Sequence, residues 1–161
     1  MRKKLSYCLA TVLGVGYCPV ASGTAGSLVT VPLALCLAFY YGVFGIIIGA
    51  IVAFFVGTAA TKEVLKYTKH DPSIVVVDEL VGQLLSYTLV ANHLIGRVDL
   101  GAAVIYLLGF GLFRLFDITK PQPAKWADSQ VLNAWGVMLD DVFAGIYATL
   151  VLWLINLMFV L

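Results

Sequence analysis

The chain has 161 residues, 61% of them hydrophobic and only 12% charged, with a formal net charge of +1. Soluble domains carry about 25% charged residues, so the composition excludes an ordinary water-soluble domain and predicts one integral membrane domain over residues 1–161. No basic stripe interleaved with aromatics runs through it, so nucleic acid is not an expected partner.

The expected fold class is all-α, with about five hydrophobic helices plus an N-terminal surface or re-entrant helix. Arg2-Lys3-Lys4 followed by Leu5–Val15 has the look of a signal peptide, but Gly14, Gly16 and Pro19 break the apolar run. The segment therefore reads as a helix on or partly in the membrane surface. Ser22 to Tyr41 is the first expected span. It reaches the roughly 20 residues needed to cross a bilayer only if its Gly-Thr-Ala-Gly-Ser start is helical, and Pro32 predicts a kink. Gly42 to Thr61 is the second span, in which Gly45 and Gly49 have the spacing for close helix pairing. Thr61–Asp71 carries Lys62, Glu63, Lys66 and Lys69 at helical spacing and reads as a cytosolic extension of that helix. After Pro72 and Ser73, Leu80 to Ile95 forms a short third span with Asp78 and Glu79 at its mouth. Arg97 and Asp99 mark a turn, Leu100 to Phe116 is the fourth span, and Thr119–Gly136 is a polar loop punctuated by Pro121 and Pro123. Val137 to Leu161 is the fifth span. Cys8, Cys18 and Cys36 lack metal-ligand spacing and read as small packing residues.

Charge sets the orientation. With the N-terminus inside, Arg2, Lys3, Lys4, Lys62, Lys66, Lys69, Arg114, Lys120 and Lys125 all fall inside and only Arg97 falls outside, as the positive-inside rule requires. Glu63, Asp71, Asp78, Glu79, Asp117, Asp128, Asp140 and Asp141 fall on the same side, leaving Asp99 alone outside. Acids contribute little to orientation, so their common depth calls for another explanation.

Four motifs supply candidates. Gly16–Ser27 places Gly23, Thr24, Gly26 and Ser27 at a helix start, where free backbone N–H groups bind phosphate; a capped, tightly packed helix start has the same pattern. Asp78-Glu79 is followed by Gly82, which leaves the helix face open to a neighbour or a ligand, and Asp78 also fits a helix N-cap. Arg114, Asp117 and, if the helix lasts, Lys120 share a face, as a phosphate clamp or as a structural ion pair with positive-inside anchoring. Trp126 reads as an interface anchor. Asp140 and Asp141 enter the last span, with Ala144 and Gly145 one turn on. A carboxylate deep in lipid costs about 2.5–3.5 kcal/mol, so such acids imply pairing or coordination. The cluster is oxygen-only: His70 and His93 stand apart from it. Hard oxygen ligands favour Mg²⁺ or Mn²⁺ over Zn²⁺, and such an ion beside Arg and Lys points to phosphate chemistry.

These blocks resemble the phosphatidylglycerophosphatase A family. The matching stretches are GVGYCPVASGTAGSLVTVPL (residues 14–33), DPSIVVVDELVG (71–82), LFRLFDITKPQPAKWAD (112–128) and GVMLDDVFAGIYA (136–148), in family order. Members usually have another small residue where Cys18 stands and often Pro where Ser22 stands. The resemblance implies a Mg²⁺-dependent phosphatase of the bacterial inner membrane that converts phosphatidylglycerophosphate to phosphatidylglycerol and phosphate at the cytosolic face. Gly23, Thr24, Gly26, Asp78, Glu79, Arg114, Asp117, Lys120, Pro121, Asp140 and Asp141 match its motifs. On this basis Asp78, Glu79 and Asp141 are expected to hold Mg²⁺, with Asp140 or Asp117 completing the shell. Asp78, Asp117, Asp140, Arg114 and Lys120 are the expected catalytic set. One of the acids orients or deprotonates water, while Arg114 and Lys120 neutralise the phosphoryl oxygens and Gly23, Thr24, Gly26 and Ser27 bind phosphate. Asp128 is expected to matter less than Lys120. Cysteine, histidine and aspartyl-phosphate phosphatase signatures do not fit: no cysteine begins a Cys-x5-Arg motif, ASGTAG has no histidine, and FDIT lacks the second aspartate. The rivals are a cation transporter, which would distribute acids through the bilayer depth, and a non-catalytic lipid-binding protein, which would not need so many acids.

Overall fold

An apolar chain in lipid must satisfy its backbone polar groups internally, and the described residues do so mainly with helices. The computed structural model describes residues 3–68 and 72–159; Arg2, Lys69, His70 and Asp71 lie outside the described residues. In chain order the α-helices are α1 (Lys3–Ala10), α2 (Ser22–Val64), α3 (Val77–Leu85), α4 (Leu100–Thr119), α5 (Ala124–Gln130) and α6 (Ala134–Phe159), with 3₁₀ turns at Val15–Tyr17 and Ala91–Leu94. No strand occurs among the described residues.

Helix α2 doubles back on itself. Its one non-helical residue is Gly42, at φ 55° and ψ −140°, a conformation close to glycine-only backbone space. Gly26 packs against Val76 and Gly57 against the adjacent Val77, yet on one straight helix those glycines would stand about 45 Å apart. The first and second expected spans are therefore the two arms of α2, with Pro32 inside the first arm and the reversal at Gly42. The reversal is held from outside. Asn92 Oδ1 accepts the Val43 N–H at 3.0 Å, and the Gly96 N–H donates to Phe39 O at 3.1 Å. Gly45 and Gly49 serve this hairpin: a Cβ at Gly45 would lie 2.6 Å from Leu37 O and one at Gly49 2.8 Å from Leu37 Cδ1.

The third expected span is corrected. Three helices are long and apolar enough to cross a bilayer, α2, α4 and α6; with α2 folded into two arms they account for four of the five expected spans, and the third has no long helix. Helix α3 has nine residues, about 13 Å of rise against a hydrocarbon core of about 30 Å. Beyond it the bonding tightens to three-residue turns, Tyr87 N to Leu84 O, Thr88 N to Leu85 O and Val90 N to Tyr87 O. Ser86 Oγ donates to Gln83 O at 2.7 Å, and Gln83 Nε2 donates to Ser86 Oγ and Tyr87 Oη, each at 3.0 Å. Such local side-chain bonds compete with helix. Irregular backbone is tolerated at membrane depth where protein encloses it, and Tyr87, Val90, Ala91 and Leu94 are fully buried.

Helix α1 is too short to cross and lies against the acid-bearing end. Ala10 O accepts the Val76 N–H at 2.9 Å, and Lys3 Nζ sits 3.8 Å from the Tyr67 ring centroid. The opposite end carries Gly42, Asn92 and the Arg97–Asp99 pair. Arg97 binds both Asp99 oxygens, at 2.7 and 2.8 Å, while Asp99 also caps α4 by accepting the Ala102 N–H at 2.9 Å. The Arg97 hydrogen bond, with help from that backbone donor, holds the exposed Asp99 carboxyl down at about 2. Large apolar side chains such as Leu107, Leu154 and Met158 remain exposed on the outer faces of α4 and α6, as expected where lipid is the solvent.

The reversal makes a test. A Cβ at Gly42 would meet Asn92 Oδ1 at 2.6 Å and Ile95 Cδ1 at 2.8 Å, whereas one at Gly111 meets nothing within 4 Å. Gly42→Ala should destabilise the protein in detergent by at least the roughly 1–2 kcal/mol of a left-handed alanine. Gly111→Ala should leave the melting temperature unchanged or slightly raised. Equal melting temperatures for the two variants would contradict the hairpin.

Candidate active site

Helices α3 and α6 cross with almost no side chain between them. A Cβ at Gly82 would lie 2.5 Å from Asp141 O, and one at Gly145 would lie 2.5 Å from Gly82 O. This contact brings the first turn of α3 beside the first third of α6. As a result Asp78, Glu79 and Asp141 each offer a carboxylate oxygen, and these oxygens lie within 4.8 Å of one another. Asp78 and Asp141 are buried and Glu79 is half-buried. Asp78 is not the N-cap of α3; that position belongs to Val76, and Asp78 Oδ1 accepts the N–H of Glu79 at 3.0 Å. Glu79 Oε2 is buried with no hydrogen-bond partner. Three converging carboxylates, one with an unpartnered buried oxygen and no His or Cys among them, match the donor set of a hard divalent cation.

An ion pair flanks this trio. Arg114 forms an ion pair with Asp117 one turn along α4, and Asp141 feels the charge of Asp117, Glu79, Asp78 and Asp140. Gly23, at the start of α2, is the meeting point: a side chain there would overlap Glu79 Oε1 and come within 3.1 Å of Arg114 Nη1. The free N–H groups of the first turn of α2 thus open beside Glu79 and Arg114. Thr24 is half-buried on this turn. Gly26 and Ser27, expected to bind phosphate, have other contacts here. Gly26 is packed on Val76, and the Ser27 hydroxyl donates to Gly23 O at 2.9 Å, inside its own helix.

Lys120 departs from the expected face. Helix α4 ends at Thr119, and Lys120 takes a left-handed backbone, φ 42° and ψ 60°, because the residue before a proline avoids the helical region. Its side chain therefore leaves the Arg114–Asp117 row. It reaches Asp128 Oδ1 at 2.5 Å and Asp140 Oδ2 at 2.6 Å. Burial disfavours the ammonium charge, but the hydrogen bonds to Asp128 and Asp140 outweigh it and raise the Lys120 pKa, so Lys120 is cationic at neutral pH. Asp140 lies outside the close trio and keeps Oδ1 buried with no hydrogen-bond partner. Sequence reasoning did not anticipate the Lys120–Asp128 contact. The available signal was Pro121, which excludes Lys120 from the helix and turns it toward the following segment.

The chain thus gathers acids, an arginine and a lysine at one end of a bundle whose long helices are apolar enough to cross a membrane. The family model for phosphatidylglycerophosphatase A matches residues 8–156, and the chain belongs to that family. It is 33% identical over 149 residues to the phosphatidylglycerophosphatase A of Haemophilus influenzae, covering 92% of this chain and 86% of the relative. It is 28% identical to that of Escherichia coli, over 92% of this chain and 81% of the relative. It is also 33% identical to a putative phosphatidylinositol-3-phosphatase of Bacteroides thetaiotaomicron, over 87% and 86% respectively. No solved structure gives a significant match.

The α3–α6 contact predicts a sensitive position. Gly82→Ala must push Asp141 O and the Phe113 ring away, an overpacking that costs typically about 1–3 kcal/mol. It should lower both the melting temperature and the phosphatase rate. Wild-type values for both would mean that the carboxylates meet without this close contact.

Proposed function

We propose that the chain hydrolyses the terminal phosphomonoester of phosphatidylglycerophosphate, giving phosphatidylglycerol and phosphate, in a Mg²⁺-dependent reaction at the cytosolic face of the bacterial inner membrane. The observation that carries this reading is the carboxylate trio Asp78, Glu79 and Asp141 beside Gly23 and Arg114. The substrate reading is supported by the names of the Haemophilus and Escherichia relatives. The cytosolic face is supported by Lys3, Lys62, Lys66, Arg114 and Lys120, which belong to segments at the acid end, with Arg97 at the other.

Asp78, Glu79 and Asp141 would hold the ion. A bound Mg²⁺ supplies Lewis-acid polarisation of the phosphoryl oxygens. Arg114 and Lys120 neutralise charge on those oxygens, with Arg114 offering a planar fork of donors. The open N–H groups at Gly23 bind the phosphate edge. Asp140 Oδ1, buried and unpartnered, accepts a proton from the attacking water as its oxygen bonds to phosphorus. The P–O bond to the glycerol breaks, and the same carboxyl returns the proton to the departing alkoxide. Asp117 keeps Arg114 in place. The acyl chains stay in the bilayer, which avoids about 0.8 kcal/mol for every CH₂ withdrawn.

Purified protein should release phosphate from phosphatidylglycerophosphate with Mg²⁺ and lose that activity in a chelator. Release from phosphatidylinositol 3-phosphate alone would transfer the assignment to the Bacteroides-type substrate, and no release from either would refute the phosphatase assignment. Glu79→Gln and Asp141→Asn should each abolish turnover. Because each removes like-charge crowding, neither should lower the melting temperature in metal-free buffer. Wild-type turnover in either variant would remove that residue from the site.

A further inference from the structure

We propose that Asp128 is a positioning residue for the reaction: through Lys120 it fixes the orientation of Asp140. The proposal rests on the phosphatase reading above. Three observations build it. The left-handed backbone at Lys120 sends the side chain off α4 and into the space before α6. There the ammonium is held by two carboxylates from different helices, Asp128 Oδ1 of α5 at 2.5 Å and Asp140 Oδ2 of α6 at 2.6 Å. Bonds of this charge-assisted kind are the strong ones. Finally, Asp140 is left with one oxygen engaged and the other, Oδ1, buried and without a partner.

Helix α5 supplies a firm base for this arrangement. Ala124 and Ala127 are fully buried, and Gly136 at the start of α6 packs against backbone oxygens of Val131 and Ala127. Tyr147 Oη donates to Gln122 O at 2.5 Å, tying the turn before α5 back to α6. Asp128 follows directly on Ala127, so its carboxylate is carried by a docked helix. A lone Lys120–Asp140 pair could rotate as a unit about the Asp140 side chain. A second anchor on α5 removes that freedom and leaves Oδ1 in one orientation.

A residue acting through another has a recognisable signature, non-additivity. Asp128→Asn keeps the side-chain shape and removes the charge. It should lower kcat about 10–100-fold, the usual range for a residue that orients a reacting group, with KM little changed and the melting temperature unaltered. Asp128→Glu should recover part of the rate. The variant lacking both side chains, Asp128→Ala with Lys120→Ala, should be no slower than Lys120→Ala alone. Full multiplication of the two single losses, or a kcat for Asp128→Asn within twofold of wild type, overturns the proposal. If Asp128→Asn melts early, the cycle is read from Asp128→Glu and Lys120→Arg on the same criterion. Wild-type enzyme assayed alongside separates the two claims: phosphate release with an additive cycle sinks only the role of Asp128, whereas no release from wild type sinks the phosphatase reading itself.

Discussion

The close crossing of α3 and α6 at Gly82 and Gly145 is the contact on which the site depends. Asp78 and Glu79 come from a helix of only nine residues and have no long scaffold of their own. They are aligned because α3 is clamped between the small residues of α6 and the α2 arms that carry Gly26 and Gly57. Without a large hydrophobic force between helices in lipid, close packing of small residues is what draws them together. The same contacts that stabilise the bundle therefore set the spacing of its carboxylates, and a change in packing is felt as a change in chemistry.

That coupling explains which parts of the structure were legible in the sequence. The division of charge between the two ends was legible: among the described residues Arg97 and Asp99 pair at the Gly42 end, while Asp78, Glu79, Arg114, Asp117, Lys120, Asp128, Asp140 and Asp141 gather at the other. The meeting of Asp78, Glu79 and Asp141 was legible from motif blocks whose glycines announce close contact. The broken third crossing was not, since hydropathy cannot register that Gln83, Ser86 and Tyr87 bond to one another inside the protein. Gly26 and Ser27 were ambiguous for a related reason: small and hydroxylated residues at a helix start look the same whether they meet a phosphate or a neighbouring valine. The place of Lys120 stayed open in the sequence, because its row with Arg114 and Asp117 depended on the helix lasting up to Pro121, and it ends at Thr119.

Electrostatics at the acid end combine a carboxylate trio with ion-paired cations. Beside the trio at the α3–α6 contact, Arg114 is already engaged by Asp117, and Lys120 by Asp128 and Asp140. Pre-engaged cations are held in place before any ligand arrives, which is how a site avoids reorganising during reaction.

The hairpin of α2 has one more consequence. Its turn at Gly42 and the Arg97–Asp99 connection are short, so the end away from the acids consists of tight turns between helices. The molecule is thus asymmetric in the direction that matters for a lipid. The carboxylates of the trio all belong to the opposite end, so a headgroup at the level of Gly42 lies a bilayer's hydrocarbon thickness, roughly 30 Å, from them.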